Sequence, residues 1–353
     1  MKILIYADPH WSQYSSIVRT RGESFSTRLE NLIESINWVE DLAKQRRCDS
    51  IVCLGDFFDK SELNAEEITA LGRIGWYDAI PHHFLVGNHE MGANDLSLNS
   101  AKLFRLLNNA YVESLPNSFV VDNGETLIVF IPYILESRRL DMVKDVGKSE
   151  LLPLWIDKEK SGATRTIIFS HNDLQIQYGA YKSVCGFTEE EINKSCDLFI
   201  NGHIHNFGQQ SNIVNLGNLT GQNFSEDAFK YNHYAMILDT ETLKYEFIAN
   251  PYAMQFVKLD FSAGVDQSAL DKLPDRSVVS VKVNEGDYDS VKKQLDENSK
   301  VITYRITVER TATPVEDVAE FHFDDHLTQF VNFIKETVGD SDIVSEELQE
   351  ICK

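Results

Sequence analysis

The sequence has few cysteines and no long hydrophobic segment. Its five cysteines form no Cys-x-x-Cys pair, and their odd number argues against a disulfide framework. The longest apolar run, 127–135, has nine residues and contains a proline, whereas a helix needs about 20 apolar residues to span a bilayer. The apolar start of the chain ends at Asp8, too early for a signal peptide. These absences predict a cytoplasmic protein without a membrane segment.

Positive charge is also scarce in this chain. It has 33 lysines and arginines against 55 aspartates and glutamates, a formal net charge of −22. Part of the excess is local, because residues 314–353 carry eleven acidic and two basic side chains. Proteins that hold DNA unaided are usually basic, since phosphate neutralisation supplies most of the non-specific affinity. A function on nucleic acid would therefore need positive charge from another source.

Hydrophobic spacing predicts an α/β catalytic domain over residues 1–250. The runs 2–7 and 50–54 are typical of buried strands, and apolar residues at helical spacing between 29 and 43 predict a helix between them. A second helix is predicted over 65–78. Alternating strands and helices favour α/β layers, and the later, strand-rich part favours a mixed sheet or a two-sheet sandwich. Further strands are predicted at 83–86, 126–131, 166–169, 197–200, 213–216, 234–239 and 245–249.

The last hundred residues show a different organisation. Residues 251–308 predict a small, separate β-α-β domain, and residues 309–322 form a polar linker that contains a proline. Residues 323–353 place apolar side chains on one face of predicted amphipathic helices. Such helices either pack on the catalytic domain or bind a partner protein.

Short polar motifs follow five of the predicted strands. In α/β folds ligands collect at the carboxyl ends of strands, so these motifs can converge on one pocket. They offer carboxylate, amide and imidazole groups, which are ligands for Mn²⁺, Fe or Zn, and one aspartate can bridge two cations. The motifs are Asp8-Pro9-His10, Gly55-Asp56-Phe57-Phe58-Asp59, Gly87-Asn88-His89-Glu90, Ser170-His171-Asn172-Asp173 and Gly202-His203-Ile204-His205.

Each motif alone has an ordinary structural explanation. An Asp-x-His at a strand end is commonly a turn, an asparagine commonly makes an Asx turn, and a His-x-His pair is commonly solvated. The complete set in this order is what predicts a metal site. The remaining histidines match no motif and are predicted to be surface or core residues; they are His82, His83, His233, His322 and His326.

The ordered set resembles the calcineurin-like metallophosphoesterase superfamily, whose motifs run D-x-H, G-D-x-x-D, G-N-H-[DE], a lone His and G-H-x-H. Within it, the M-K-I-L start, G-D-x-F-D, N-G-H-I-H and the overall build are similar to those of Mre11/SbcD nuclease subunits, phage forms included. The resemblance implies a four-layer α/β/β/α sandwich with a small α+β capping domain that contacts DNA and with C-terminal helices.

The resemblance also implies a role for each matching residue. One divalent ion would be held by Asp8, His10 and His205, the other by Asn88, His171 and His203, with Asp56 as the bridge. His89 would stay free of metal, face the scissile phosphate and help to protonate the leaving oxygen. The two ions would be Mn²⁺ in the first instance, with Mg²⁺, Fe or Zn as alternatives. Asp59 stands where relatives carry either His or Asp, and it receives no role.

The implied function is a Mn²⁺-dependent nuclease subunit of a recombination and repair complex, in the cytoplasm of a bacterium or a phage-infected cell. It would act as an exonuclease on double-stranded DNA ends and as an endonuclease on single strands. Its partners would be DNA, a Rad50/SbcC-like coiled-coil ATPase bound through residues 323–353, and a second copy in a homodimer. One alternative is a stand-alone small-molecule or cyclic-nucleotide phosphoesterase, which the net charge favours. Another is a non-catalytic scaffold, which the intact ligand set disfavours.

A cationic and aromatic group follows the first motif. It comprises Trp11, Tyr14, Arg19, Arg21 and Arg28. Arginines and aromatic rings suit contacts with a phosphate backbone, and an ordinary structural role is equally open.

Overall fold

The computed structural model describes residues 1–146, 151–152, 156, 162–178, 181–226, 228–229 and 232–309. Met1–Glu309 form one compact unit. The predicted linker beyond residue 309 and the predicted helices of 323–353 lie outside the described residues.

Strands and helices alternate from the first strand to the third, and strands predominate in the rest of the described chain. The strands are β1 (Lys2–Tyr6), β2 (Ser50–Cys53), β3 (His82–Leu85), β4 (Met91–Gly92), β5 (Asp95–Asn99), β6 (Ala110–Glu113), β7 (Asn117–Val121), β8 (Thr126–Ile131), β9 (Arg165–Ser170), β10 (Leu174–Gln175), β11 (Gln177–Tyr178), β12 (Tyr181–Lys182), β13 (Phe187–Thr188), β14 (Leu198–Asn201), β15 (Gly208–Gln210), β16 (Ile213–Asn215), β17 (Tyr234–Asp239), β18 (Tyr245–Ala249), β19 (Gln255–Phe261), β20 (Ser277–Asn284) and β21 (Val301–Glu309). The helices are α1 (Thr27–Arg46), α2 (Ala65–Leu71), α3 (Glu136–Val146), α4 (Glu189–Ser195), α5 (Gln267–Asp271) and α6 (Tyr288–Glu297).

Two six-stranded mixed sheets form the centre of the fold. The first has the order β18-β17-β1-β2-β3-β6, with β1, β2, β3 and β6 parallel and β17 antiparallel to β1. The second has the order β15-β16-β14-β9-β8-β7, parallel from β16 to β8 and antiparallel at both edges. Successive side chains of a strand point to opposite faces. On β1, Ile3 and Ile5 therefore pack between the sheets, whereas Leu4 and Tyr6 face α1.

Helices cover the outer faces of both sheets. On α1, Leu29, Leu32 and Ile36 pack on the first sheet, and Ile192 of α4 packs on the outer face of the second. The result is the four-layer α/β/β/α sandwich, which confirms the predicted fold class. None of the described helices is both long and apolar enough to cross a membrane.

Capping residues set the ends of α1 and α2. The Ser26 side chain accepts a hydrogen bond from the Leu29 N–H at the start of α1, which runs to the left-handed Arg47. The second helix is shorter than the predicted 65–78, because it ends at Leu71. Gly72 follows as its cap and has the weak helix propensity expected of glycine.

A third sheet lies in residues 255–309. Its three parallel strands have the order β19-β20-β21 and pack with α6 around Val257, Val281 and Leu295. Phe256 and Val278 belong to a neighbouring apolar cluster that includes Val18, which follows the first motif along the chain. The DNA-contacting role of this segment stays a prediction.

Candidate metal centre

All five motifs lie at the carboxyl ends of parallel strands, three in the first sheet and two in the second. Because the sheets pack face to face, these ends meet at one edge of the sandwich. Asp8 and His10 follow β1, Asp56 follows β2, Asn88 and His89 follow β3, His171 follows β9, and His203 and His205 follow β14.

The backbone at this edge is constrained. Asp8, His10, Asp56 and His203 have positive φ angles of 49°, 49°, 46° and 71°. This conformation costs a non-glycine residue about 1–3 kcal/mol and persists where the surroundings impose it, most often at functional sites. The N–H groups of Asp8 and His10 donate to the carbonyls of Gly55 and Asp56, at 3.2 and 3.1 Å, so the first two loops hold each other.

Gly87 permits the close approach of the third loop. A Cβ atom at this position would lie 2.1 Å from Oδ1 of Asp56. Any larger residue would therefore displace Asp56 or move the loop that carries Asn88 and His89.

The first cluster consists of Asp8, His10 and His205. The Nε2 atoms of His10 and His205 are 2.9 Å apart. Nδ1 of His10 lies 3.0 Å from Oδ1 of Asp59, and Nδ1 of His205 lies 3.5 Å from Oε1 of Glu226. Carboxylates on the outer nitrogens place the protons there, so the inner nitrogens present their lone pairs to each other. Such an arrangement is favourable with a cation between the rings.

The second cluster consists of Asp56, His171 and His203, together with Asn88. Nδ1 of His171 donates to a backbone carbonyl at 2.9 Å. Its Nε2 therefore carries the lone pair, which faces Oδ2 of Asp56 at 3.1 Å and Oδ1 of Asn88 at 3.3 Å. Nδ1 of His203 lies 2.9 Å from the same amide oxygen, and its Nε2 faces Asp173 at 3.4 Å. Acceptor atoms thus converge here as well, which fits a second cation.

The electrostatics of the centre fit the same donor set. Burial lowers the pKa of His10 to about 4 and also lowers the pKa of His171. Both imidazoles are therefore neutral near pH 7, as metal ligation requires. Burial, followed by the charge of Asp56, raises the pKa of Asp8. A divalent cation between these carboxylates would relieve their repulsion. Imidazole, carboxylate and amide donors are compatible with Mn²⁺, Fe and Zn.

His89 lies beside both clusters without belonging to either predicted ligand set. Its backbone N–H donates to Oδ1 of Asp56 at 2.9 Å, and its ring stands edge-on to His10 with 4.7 Å between centroids. Nδ1 lies 3.0 Å from the Asp59 carbonyl oxygen, and the side chain is 41% exposed. The ring is thus anchored and accessible. His10, Asp59 and His89 also lie close enough to share an ion.

The structure brings in two carboxylates to which the motifs assign no role. Asp59 contacts His10 through its side chain and His89 through its carbonyl, and it accepts a hydrogen bond from Gln222 at 2.9 Å. In the sequence, the signal for Asp59 is its position three residues after Asp56 in the same motif. Glu226 belongs to no motif, and only the folded chain places it against His205.

We expect Asp59→Asn to weaken metal binding at the first cluster by about 10- to 100-fold, the usual effect of losing an outer carboxylate. The amide can still accept the His10 N–H, but it lacks the charge that makes the imidazole a stronger ligand. Calorimetric titration of metal-free protein with Mn²⁺ measures this, with the exposed Asp41→Asn as the control. Unchanged affinity would show that Asp59 does not support His10.

The structure contradicts a phosphate contact by Arg28 and Trp11. Both side chains are fully buried. Arg28 donates to the carbonyls of Pro9 and residue 221 at 3.0 and 2.7 Å, and the Trp11 indole N–H donates to a backbone carbonyl at 3.0 Å. Arg21 forms an ion pair with Glu66. Arg28 and Trp11 therefore support the first motif loop. Tyr14 and Arg19 are exposed, and a phosphate contact by these two stays a prediction.

Comparison with known proteins identifies the family. The model for calcineurin-like phosphoesterases matches residues 1–207. Among solved structures, the chain is similar to an archaeal phosphodiesterase at 15% identity, over 70% of this chain and 99% of that one, with a TM-score of 0.35. It is also similar to a dimetal phosphatase from Danio rerio at 15% identity, over 70% and 98% of the two chains, with a TM-score of 0.41. Yfce, a phosphoesterase from E. coli, aligns at 11% identity over 71% and 100%, with a TM-score of 0.32. No curated protein matches the chain.

The matched residues include all five motifs. Family members use a dinuclear metal site, for which the two clusters supply candidate ligands. The comparisons do not support the narrower Mre11/SbcD assignment, which stays a proposal. The chain belongs to the calcineurin-like phosphoesterase family and is a metal-dependent phosphoester hydrolase.

Proposed function

We propose that this protein hydrolyses small phosphodiesters, nucleotide esters among them, with two divalent cations. The observation that carries the proposal is a pair of adjacent acceptor clusters beside an accessible histidine, His89, that belongs to neither predicted ligand set. Two divalent cations bound there would activate a water molecule and neutralise charge on the phosphoryl oxygens.

The protein's own residues would divide the remaining work. Asp56 faces His171 and also accepts the His89 N–H, so it ties the second cluster to the histidine loop. Asp59 orients His10 and His89 from the outside. With Nδ1–H of His89 donating to the Asp59 carbonyl, Nε2 is the nitrogen that would face the substrate. In the imidazolium form of the ring, its N–H would pass a proton to the leaving oxygen and stabilise the transition-state charge.

The surface charge near the centre favours a small substrate over DNA. The net charge of the chain is −22. Arg28 is buried, Arg21 is paired with Glu66, and Lys60 pairs with the buried Glu67 at 2.9 Å. A phosphate backbone needs several available cations. Arg28, Arg21 and Lys60 do not provide them, and Arg138 near Tyr133 is a single cation.

A second candidate function is the nuclease subunit of an Mre11/SbcD-type complex. The motif details and the separate sheet of residues 255–309 support it. In this case a Rad50/SbcC-like ATPase would bind residues 323–353 and supply the positive surface that this chain lacks. In the same complex, this chain would also form a homodimer.

A comparison of substrates tests the two candidates. We expect Mn²⁺-loaded protein to hydrolyse bis(p-nitrophenyl) phosphate with multiple turnovers, to lose that activity on chelation, and to leave labelled single-stranded and duplex oligonucleotides intact. Cleavage of the oligonucleotides without hydrolysis of small diesters would favour the nuclease. Hydrolysis of neither class would contradict both candidates and favour the scaffold alternative.

The partner proposal has its own test in the full-length chain. Replacing Phe330 and Ile334 together by aspartate is expected to abolish co-purification with a coiled-coil ATPase and the ATP-stimulated cutting of duplex DNA. Burial of such side chains contributes about 1.5–3 kcal/mol each before ordering costs. Gln329→Asp with Asn332→Asp, on the opposite face of the helix that the sequence predicts, is the control. A double Phe330 and Ile334 variant that still binds the ATPase would exclude this docking mode.

A further inference from the structure

A groove of about 750 Å³ opens beside the second metal cluster. This volume is within the range of about 300–1,000 Å³ that is common for small-molecule sites. Its apolar walls include Met91, Leu96, Leu115, Tyr133, Leu135 and Met142.

Tyr133 connects the groove to the metal centre. Its ring centroid lies 5.5 Å from that of His203 and 6.4 Å from that of His171. Its backbone N–H donates to the Val86 carbonyl at 2.9 Å, so the same strand end that precedes Asn88 also positions this tyrosine. A molecule in contact with Tyr133 in the groove is therefore within a few ångströms of the second cluster.

Another part of the lining comes from the segment that follows His89. Met91 stands two residues after the catalytic candidate and begins the β4–β5 hairpin, which also contributes Leu96. At the rim, Leu115 is 72% exposed although it is a large apolar side chain. Exposed apolar residues that line a concavity next to a reaction centre are typical of ligand contacts.

The charges in the groove restrict what it can bind. Arg138 lines it and forms no ion pair with the part of the chain that the structure describes, and the exposed Asp95 contributes negative charge. A single cation with a carboxylate in the same groove disfavours a second phosphate group. Apolar walls and a tyrosine ring favour a flat, uncharged aromatic group with polar edges, as in a nucleobase.

We infer that this groove binds the nucleoside ester group of a phosphodiester whose phosphoryl group lies at the metal centre. The inference rests on the proposed function and adds the substrate class, nucleotide phosphodiesters in preference to diesters of simple alcohols. Leu115 and Tyr133 would be residues that determine this specificity.

Two substrates with the same leaving group test the inference. Thymidine 5′-(p-nitrophenyl phosphate) and methyl p-nitrophenyl phosphate differ only in the retained ester group. The wild-type protein is expected to prefer the thymidine ester in kcat/KM, and Leu115→Asp to reduce this preference by about 5- to 10-fold through KM. The methyl ester lacks the group that would fill the groove, so its kcat/KM should fall less than that of the thymidine ester. Leu106→Asp, at a leucine that is 81% exposed and outside the groove, is the matched control.

A binding measurement separates this inference from the proposed function. Ligand-observed NMR with thymidine and metal-free full-length protein should detect binding, which Leu115→Asp and Tyr133→Ala remove and Leu106→Asp retains. Thymidine binding without hydrolysis of any diester would refute the proposed function and support the groove. Diester hydrolysis without thymidine binding, or an equal loss on both esters in Leu115→Asp, would refute the groove and leave the function intact.

Discussion

In a His89→Ser variant we expect both metal ions to remain bound while turnover of a phosphodiester falls by about 10²–10⁴, the usual contribution of general acid–base assistance. The backbone N–H of residue 89 still reaches Asp56 in this variant, so the second cluster keeps its geometry. Only the imidazole that exchanges a proton is lost. Steady-state kcat at saturating Mn²⁺ and elemental analysis of the same sample measure the two effects separately.

The control for this experiment is His322→Ser, the same chemical change at a histidine outside every motif. It should alter neither kcat nor metal content. Loss of metal from His89→Ser would instead make His89 a ligand, consistent with the closeness of His10, Asp59 and His89. Unchanged turnover with both ions bound would leave His89 without a catalytic role.

The predictable parts of the fold are the buried strands. Thr126–Ile131 and Tyr234–Asp239 have the bounds that hydrophobicity predicts, because a proline ends the first apolar run and polar residues flank the second. The sequence does not predict Ala110–Glu113 or Asn117–Val121, which lie at sheet edges. Tyr111 and Val120 are exposed there, so neither strand shows the burial pattern of a core strand.

Some contacts of the site can be predicted from the spacing within one motif, whereas others join distant parts of the chain. Residues of one motif share a strand end, so their spacing already predicts that His203 and His205 lie at the same edge of the sheet. The support of His10 by Asp59 joins residues 49 positions apart, and Glu226 reaches His205 from a segment without a motif. Tyr133 joins the groove to the centre in the same long-range manner. Such contacts depend on sheet packing, which no short pattern encodes.

The largest loss is expected for Asp56→Asn, because this residue lies between the two clusters. Its Oδ2 faces His171 at 3.1 Å, and its charge raises the pKa of Asp8 in the other cluster after burial, the larger cause. Asparagine removes one negative charge and can turn an N–H₂ group toward the cations. Metal content is therefore expected to fall from about two ions per chain to about none, and hydrolysis to the detection limit.

Elemental analysis after dialysis against Mn²⁺ measures this loss, with circular dichroism to establish that the variant is folded. Asp41→Asn, the same change at an exposed aspartate of α1, should keep both ions and full activity. The ion count also reports how Asp56 acts. Retention of one ion would mean that Asp56 serves a single cation, and the clusters would then fill independently. Retention of both would remove Asp56 from the ligand set. The other residues of the first and second clusters would then have to hold the metals.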